Sequence, residues 1–172
     1  MPFELDDTIP LSLAGAVGIR SDTDSQLRED INVSKTFQCS IITPEGNTFD
    51  GDATYVRFPS WDGQYGMMAG LAPMLSRLAP GGLRIDRGDG SSEWYLIEGG
   101  FAHVTDERLT VLAESTSPAT ELDVEEAEAL YAEAMNTQPD DTMDREAVTR
   151  TRQIARERVH LARRAAGFTT GV

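Results

Sequence analysis

The chain has 172 residues, 40 % hydrophobic and 7 % aromatic, enough to pack one ordinary domain or two small ones. A formal net charge of −14 argues against nucleic acid as a partner, because phosphate binding needs a basic face. One cysteine and two histidines leave little for a disulfide framework, a zinc site or a paired redox centre, and no run of about eighteen apolar residues occurs, so direct membrane insertion is not expected.

Residues 1–34 are acidic and lack either secondary-structure period, so disorder is the default expectation. The apolar piece IPLSLAGAVGI follows Glu4, Asp6 and Asp7 instead of a basic segment, which argues against a secretory signal. VSKTFQCSIITPEG reads like the opening of a bacterial protein, and GTG, a valine codon, also initiates bacterial translation. The expectation is therefore either a disordered extension or a true start at Val33; mass spectrometry of the native N-terminus finding Met1 or Pro2 would overturn the second.

From Lys35 to about Ala113 short apolar pieces alternate with turns. Phe37, Cys39 and Ile41 alternate with Gln38 and Ser40, TPEGNTFDG supplies turn residues, and ATYVRF resumes extended character. GLRID, EWYLIEG, FAHV and LTVLA follow, separated by RGDGSS, GG and TDER. Many closely spaced strands predict an antiparallel sandwich or barrel, with RGDGSS as a hairpin tip. Cys39 reads as a buried structural thiol, His103 as a sheet residue and His160 as a helix-surface residue.

After Ser117 and Pro118 the composition turns to Glu, Ala and Leu. Asp123 with Glu126 predicts a capping box, each side chain accepting a backbone N–H of the first turn, and Val124, Ala127, Tyr131 and Ala134 recur at helical spacing. Pro139 ends the pattern, and Asp141 or Thr142 can cap a second helix. That helix carries a stripe of Val148, Thr151, Ala155, Leu161, Ala162 and Ala165, up to Gly167. A short loop between two amphipathic helices predicts an antiparallel hairpin that buries mainly alanines and is marginally stable alone. Glu114 to Asp144 holds ten acidic residues and no Lys or Arg, whereas Arg145 to Arg164 holds seven arginines and two glutamates. The simplest reading pairs the two helices along the hairpin.

No GxSxG elbow, GxxxxGK[ST] loop, HExxH helix or paired CxxC occurs, and acids clustered on the first helix read as a solvated face. No catalytic residue, metal ligand or cofactor is assigned. In GQYGMMAGLAP, Gly63 to Pro73, the glycines lack the spacing of a phosphate cradle and no basic residue accompanies them. Turn and tight-packing glycines remain, with Met67, Met68 and Met74 as adaptable packing atoms and Trp61 and Tyr65 suited to a protein contact.

Several of these pieces stand in the order and spacing of one known family. ITPEGNTFDG (Ile42 to Gly51), GQYGMMAGLAPM (Gly63 to Met74), PGGLRI (Pro80 to Ile85), GGF (Gly99 to Phe101) and LTVLAE (Leu109 to Glu114) together resemble the epsilon subunit of rotary F-type ATP synthases, called delta in mitochondria, over Thr36 to about Arg164. The resemblance implies an antiparallel β-sandwich of about ten short strands followed by a two-helix antiparallel hairpin, with residues 35–117 as sandwich, 118–168 as hairpin and 169–172 as a tail. It implies a non-catalytic central-stalk subunit, peripheral on the cytoplasmic face of the bacterial inner membrane, linking the gamma subunit to the c ring. Trp61, Asp62, Gly63, Gln64 and Tyr65 would face the c ring, and Gly70, Leu71, Ala72 and Pro73 would lie near gamma. Arg150, Arg152, Arg156, Arg158, Arg163 and Arg164 would meet beta subunits of the alpha–beta head when the hairpin extends, restraining ATP hydrolysis.

Two departures stand out. The family's Pro-Gly-His turn is Ala69-Gly70-Leu71, and its [IL]DxxRA nucleotide motif is degenerate at Leu122, Asp123, Glu126 and Ala127, with Glu126 in the arginine position. A carboxylate there repels a polyphosphate, which disfavours the alternative of an ATP-sensing module. A free-standing β-sandwich recognition domain is the third reading.

Overall fold

The computed structural model describes residues 35–70, 72–106, 108–137 and 144–167. The expectations for residues 1–34 and 169–172, for Leu71, and for Asp141 and Thr142 lie outside them. Ten strands come first: β1 (Phe37–Thr43), β2 (Gly46–Ala53), β3 (Tyr55–Ser60), β4 (Gly63–Met67), β5 (Met74–Leu78), β6 (Gly81–Asp86), β7 (Ser92–Ile97), β8 (Gly100–Thr105), β9 (Arg108–Ala113) and β10 (Thr116–Pro118). A 3-10 turn (Ala119–Glu121) leads into helices α1 (Val124–Asn136) and α2 (Arg145–Ala165).

The strands run in the order β10-β7-β6-β3-β5-β8-β9-β1-β2, with β4 on β3. β3 and β5 share only the Ser60–Leu78 pair, and there the sheet folds over into the two layers of a sandwich. The period-two pattern aims one face of each strand inward. Phe37, Cys39 and Ile41 of β1, Leu83 and Ile85 of β6, Ala102 and Val104 of β8, and Leu109 and Val111 of β9 are all essentially inaccessible to solvent. The pairing departs from the expected all-antiparallel arrangement at one place: β1 runs parallel to β9.

The predicted turn TPEGNTFDG is largely strand. Only Pro44 and Glu45 turn; from Gly46 the chain forms β2, paired antiparallel with β1 with one register shift between Ile41 and Ile42. β2 is the last strand in the order and mostly exposed, so it carries polar residues without the apolar alternation that marks a strand. RGDGSS is the predicted hairpin tip between β6 and β7: Asp89 accepts from the Ser91 N–H at 2.8 Å and from its hydroxyl at 2.6 Å, and Gly90 takes φ +84°.

Cys39 is buried among these strands at 1 % exposure. Burial, with a smaller contribution from Asp50, pushes its thiol from 9.0 up to about 12. The thiol of the unfolded chain ionises first, so the native chain holds the extra proton across that window. This contribution to stability is complete below pH 9.0 and is lost as pH rises towards about 12. Denaturation midpoints are therefore expected to fall through that interval, and less so in Cys39→Ala measured against its own value at pH 7.

Asp123 caps α1, accepting from the Glu126 N–H at 2.9 Å. The reciprocal half of the predicted box, Glu126 accepting from Asp123, is not formed among the described residues, and Glu126 faces solvent. α2 is capped by Asp144, accepting from the Glu146 N–H at 2.9 Å, so it begins later than the Asp141 or Thr142 expected. The buried stripe of α2 is Val148, Ala155, Leu161 and Ala162; Thr151 and Ala165, included in the predicted stripe, are exposed. Leu161 packs on the sandwich with Leu96 of β7, Ala119, Leu122 and Trp94.

Candidate functional site

Among the described residues no cluster of His, Cys, Asp or Glu could hold a metal, and no helix is long and apolar enough to cross a membrane. What the surface offers instead is a set of exposed apolar groups and a row of arginines.

The β3–β4 hairpin presents Trp61 at 72 % exposure on a two-residue turn. Its base is fixed. The Ser60 hydroxyl donates to Asp62 Oδ1 at 2.7 Å and lies 2.8 Å from the buried Ser76 hydroxyl, while Tyr65 stacks on its cross-strand partner Phe58 at 5.9 Å between ring centroids. Tyr65 also donates to Asp62 Oδ2 at 3.4 Å. Gly63, at φ +142°, makes the turn without strain, and Gln64 lies exposed beyond it. The predicted group Trp61 to Tyr65 is thus one rigid tip.

Past β4, Ala69 and Gly70 turn the chain, with Gly70 at φ +88° and Met68 at 60 % exposure, and Ala72 and Pro73 are exposed beyond them. The methionines divide: Met67 is core, whereas Met68 faces water.

Sequence reasoning missed one apolar feature of the surface. Phe101 of β8 pairs with Leu112 of β9, and Leu112 pairs with Ile42 of β1, so three exposed apolar side chains form a row across the outer face, with Leu75 of β5 diagonal to Phe101. Exposure runs from 38 % at Ile42 to 68 % at Leu75. A contiguous apolar row on an outer sheet face marks a contact surface. The available signal was phase: in FAHV the inward residues are Ala102 and Val104, which leaves an aromatic outward.

The arginines of α2 do not chiefly pair with α1, contrary to the simple reading of the charge asymmetry. Arg150 donates to the Glu98 carbonyl at 2.6 Å and forms an ion pair with Glu114, and Arg158 donates to Glu98 Oε1 at 2.9 Å; both acceptors belong to the sandwich. Arg152 donates to the carbonyls of Ala134 and Thr137 at 3.1 and 2.6 Å, closing the C-terminal end of α1. Arg163 alone bridges to an acid of α1, Glu128, at 2.7 Å. Arg164 stacks on Trp94 of β7 at 4.1 Å, and Arg156 is exposed without an ion pair among the described residues. The reason is geometric: the acids of α1 point mostly to solvent, whereas Glu98 and Glu114 flank the β7–β8 turn and the end of β9, beside α2. The exposed pairs each contribute only ~0–1 kcal/mol, so docking rests on Leu161 and its apolar neighbours, and the charges set the register.

The degenerate nucleotide motif is occupied locally. Leu122 packs against the Leu161 cluster, Asp123 caps α1, Glu126 is exposed and Ala127 is buried at 1 %.

The fold and surface define a β-sandwich carrying a helical hairpin clamped to its outer face. The ATP synthase delta/epsilon chain beta-sandwich domain matches residues 36–119. The ATP synthase epsilon chain of Rhodopirellula baltica is 39 % identical over 101 residues, 59 % of this chain and 78 % of that one, and the Bacillus subtilis epsilon chain is 34 % identical, covering 63 % and 83 %. The chain belongs to the ATP synthase epsilon chain family. Its fold is also that of a chain in the Euglena gracilis mitochondrial ATP synthase OSCP/F1/c-ring structure, with a TM-score of 0.65 at 23 % identity, covering 71 % of this chain and 78 % of that chain.

Proposed function

We propose that this protein is a central-stalk rotor subunit of an F-type ATP synthase, without an active site of its own, held peripherally at the cytoplasmic face of a bacterial membrane. The sandwich, residues 35–117, joins the gamma subunit to the c ring, and the hairpin, residues 118–168, restrains ATP hydrolysis when it leaves the sandwich. The observation that carries the reading, beside family membership, is the exposed row Phe101, Leu112 and Ile42 on a sheet whose other face is fully packed. This row, with Gly70 to Pro73, is assigned to gamma, and the tip Trp61 to Tyr65 to the c ring. No feature of the Asp123–Ala127 segment favours the nucleotide-sensing alternative, since Asp123 is engaged as a cap and Glu126 carries the wrong charge.

Pulldown of the tagged full chain from reconstituted complex tests the contacts. Phe101→Asp is expected to abolish gamma recovery, and Trp61→Ala to lower c-ring recovery while leaving gamma recovery unchanged; undiminished gamma recovery with Phe101→Asp would sink the assignment. For regulation, the five arginines that now contact sandwich or α1 must exchange partners, as a two-state hairpin allows. Complex assembled with a chain ending at Pro118 is expected to hydrolyse ATP faster than complex with the full chain, and an unchanged rate would remove the regulatory role.

A further inference from the structure

On the outer face of the sandwich, beside the docked end of α2, three guanidinium groups converge on one indole. Arg57 of β3 is opposite Arg84 of β6, which is opposite Trp94 of β7, so the three side chains form one cross-strand row. The guanidinium carbons of Arg57, Arg84 and Arg164 lie 5.2, 5.8 and 4.1 Å from the Trp94 ring centroid. Each cation is attracted to the ring, but they repel one another.

Among the described residues only one acid answers them. Arg84 Nε donates to Asp86 Oδ1 at 2.6 Å, and Ser92 donates to the same oxygen at 2.6 Å. The nearby Glu93 sits next to Trp94 on the strand but serves the other face, where it accepts from Arg87 at 2.6 Å and from the Tyr95 hydroxyl at 2.7 Å. Arg57 and Arg164 form no ion pair among the described residues, and Arg57 Nε is buried without an acceptor. A buried charged donor without a partner is rare in native proteins and calls for one. The local balance is an excess of positive charge in a chain whose net charge is −14.

We propose that this row is an oxyanion site for a phosphate-class dianion. Two uncompensated guanidiniums match a group carrying close to two negative charges near neutral pH, whereas a single carboxylate would leave one of them uncompensated. Because Arg164 belongs to the hairpin and Arg57 to the sandwich, occupancy relieves the repulsion that opposes docking of the last turn of α2. The bound anion therefore favours the docked hairpin by linkage. The site is independent of the rotor assignment, since it is argued from the isolated chain.

Its test uses Trp94 emission in the full chain carrying Trp61→Phe, which removes the other tryptophan. Inorganic phosphate, O-phosphoserine and acetate are titrated at constant ionic strength set with chloride. A saturable change with inorganic phosphate is expected, with apparent affinity falling about tenfold in Arg57→Gln and retained in Arg77→Gln, an exposed arginine elsewhere on the sheet. A matching response to O-phosphoserine assigns phosphate esters as well, and its absence confines the site to the free anion. A phosphate response no greater than that of chloride, an equal response to acetate, or an unchanged one in Arg57→Gln overturns the proposal. Far-ultraviolet circular dichroism of Arg57→Gln, expected to equal that of the parent, separates loss of binding from loss of fold.

Discussion

Gly100→Ala is expected to leave little folded sandwich at room temperature. Gly100 opens β8 at φ +124°, where L residues are strained, and a Cβ there would collide with the carbonyl oxygen of Leu112 and lie 2.9 Å from Ala113 Cα. Both obstacles are backbone of the paired strand β9, so no side chain can swing aside. The strain and the broken ladder together should exceed ~4 kcal/mol, a large part of the ~5–15 kcal/mol that stabilises an ordinary domain. Gly46→Ala is the comparison: φ is +140° but nothing lies within 4 Å, so only the conformational cost of ~1–3 kcal/mol applies. Urea denaturation followed by circular dichroism reads both, and equal midpoints for the two variants would refute the collision argument.

Gly82→Leu is expected to free the hairpin and spare the sandwich. Gly82 has ordinary backbone geometry, but a Cβ would stand 3.2 Å from Leu161 Cδ2 and 3.6 Å from Trp94 Cζ3. A leucine there would occupy the space that Leu161 fills. Overpacking of this kind costs ~1–3 kcal/mol, which shifts a docked–released equilibrium roughly 5- to 150-fold. Limited proteolysis should then cut between Pro118 and Asp144 far faster than in the parent, with the thermal midpoint of the sandwich unchanged; an identical digestion course would show that Gly82 is not the notch that seats α2. In assembled complex the same variant is expected to hydrolyse ATP more slowly than the parent, the opposite of the truncation.

The elements legible in the sequence were those whose signal is local. β8 and β9 alternate because one face is core and the other exposed, β1 does so apart from the buried Ser40, Asp123 precedes an apolar period of 3.6, and RGDGSS carries its own turn chemistry. β2 was hidden because an edge strand needs few inward side chains, here Phe49 and Ala53, to hold its register. The partners of the arginines were illegible for a different reason. Glu98 and Glu114 are 52 and 36 residues from Arg150 in sequence, and nothing local distinguishes an acid that meets α2 from one that faces solvent. The Phe101–Leu112–Ile42 row was half legible, since outward phase can be read from each strand, but the row exists only once β1 lies beside β9.

That parallel pairing also orders events in time. Arg108 donates to Gln38 across 70 residues, and β1 cannot find its second neighbour until β9 has been made. A chain emerging from the ribosome can pair β1 with β2 at once, but the other edge of β1 stays open until β9 follows, and contacts so distant in sequence place folding in the millisecond-to-second range. The hairpin follows all ten strands in the chain and adds to a finished scaffold. The release proposed above would retrace only that final step, leaving the sandwich in place.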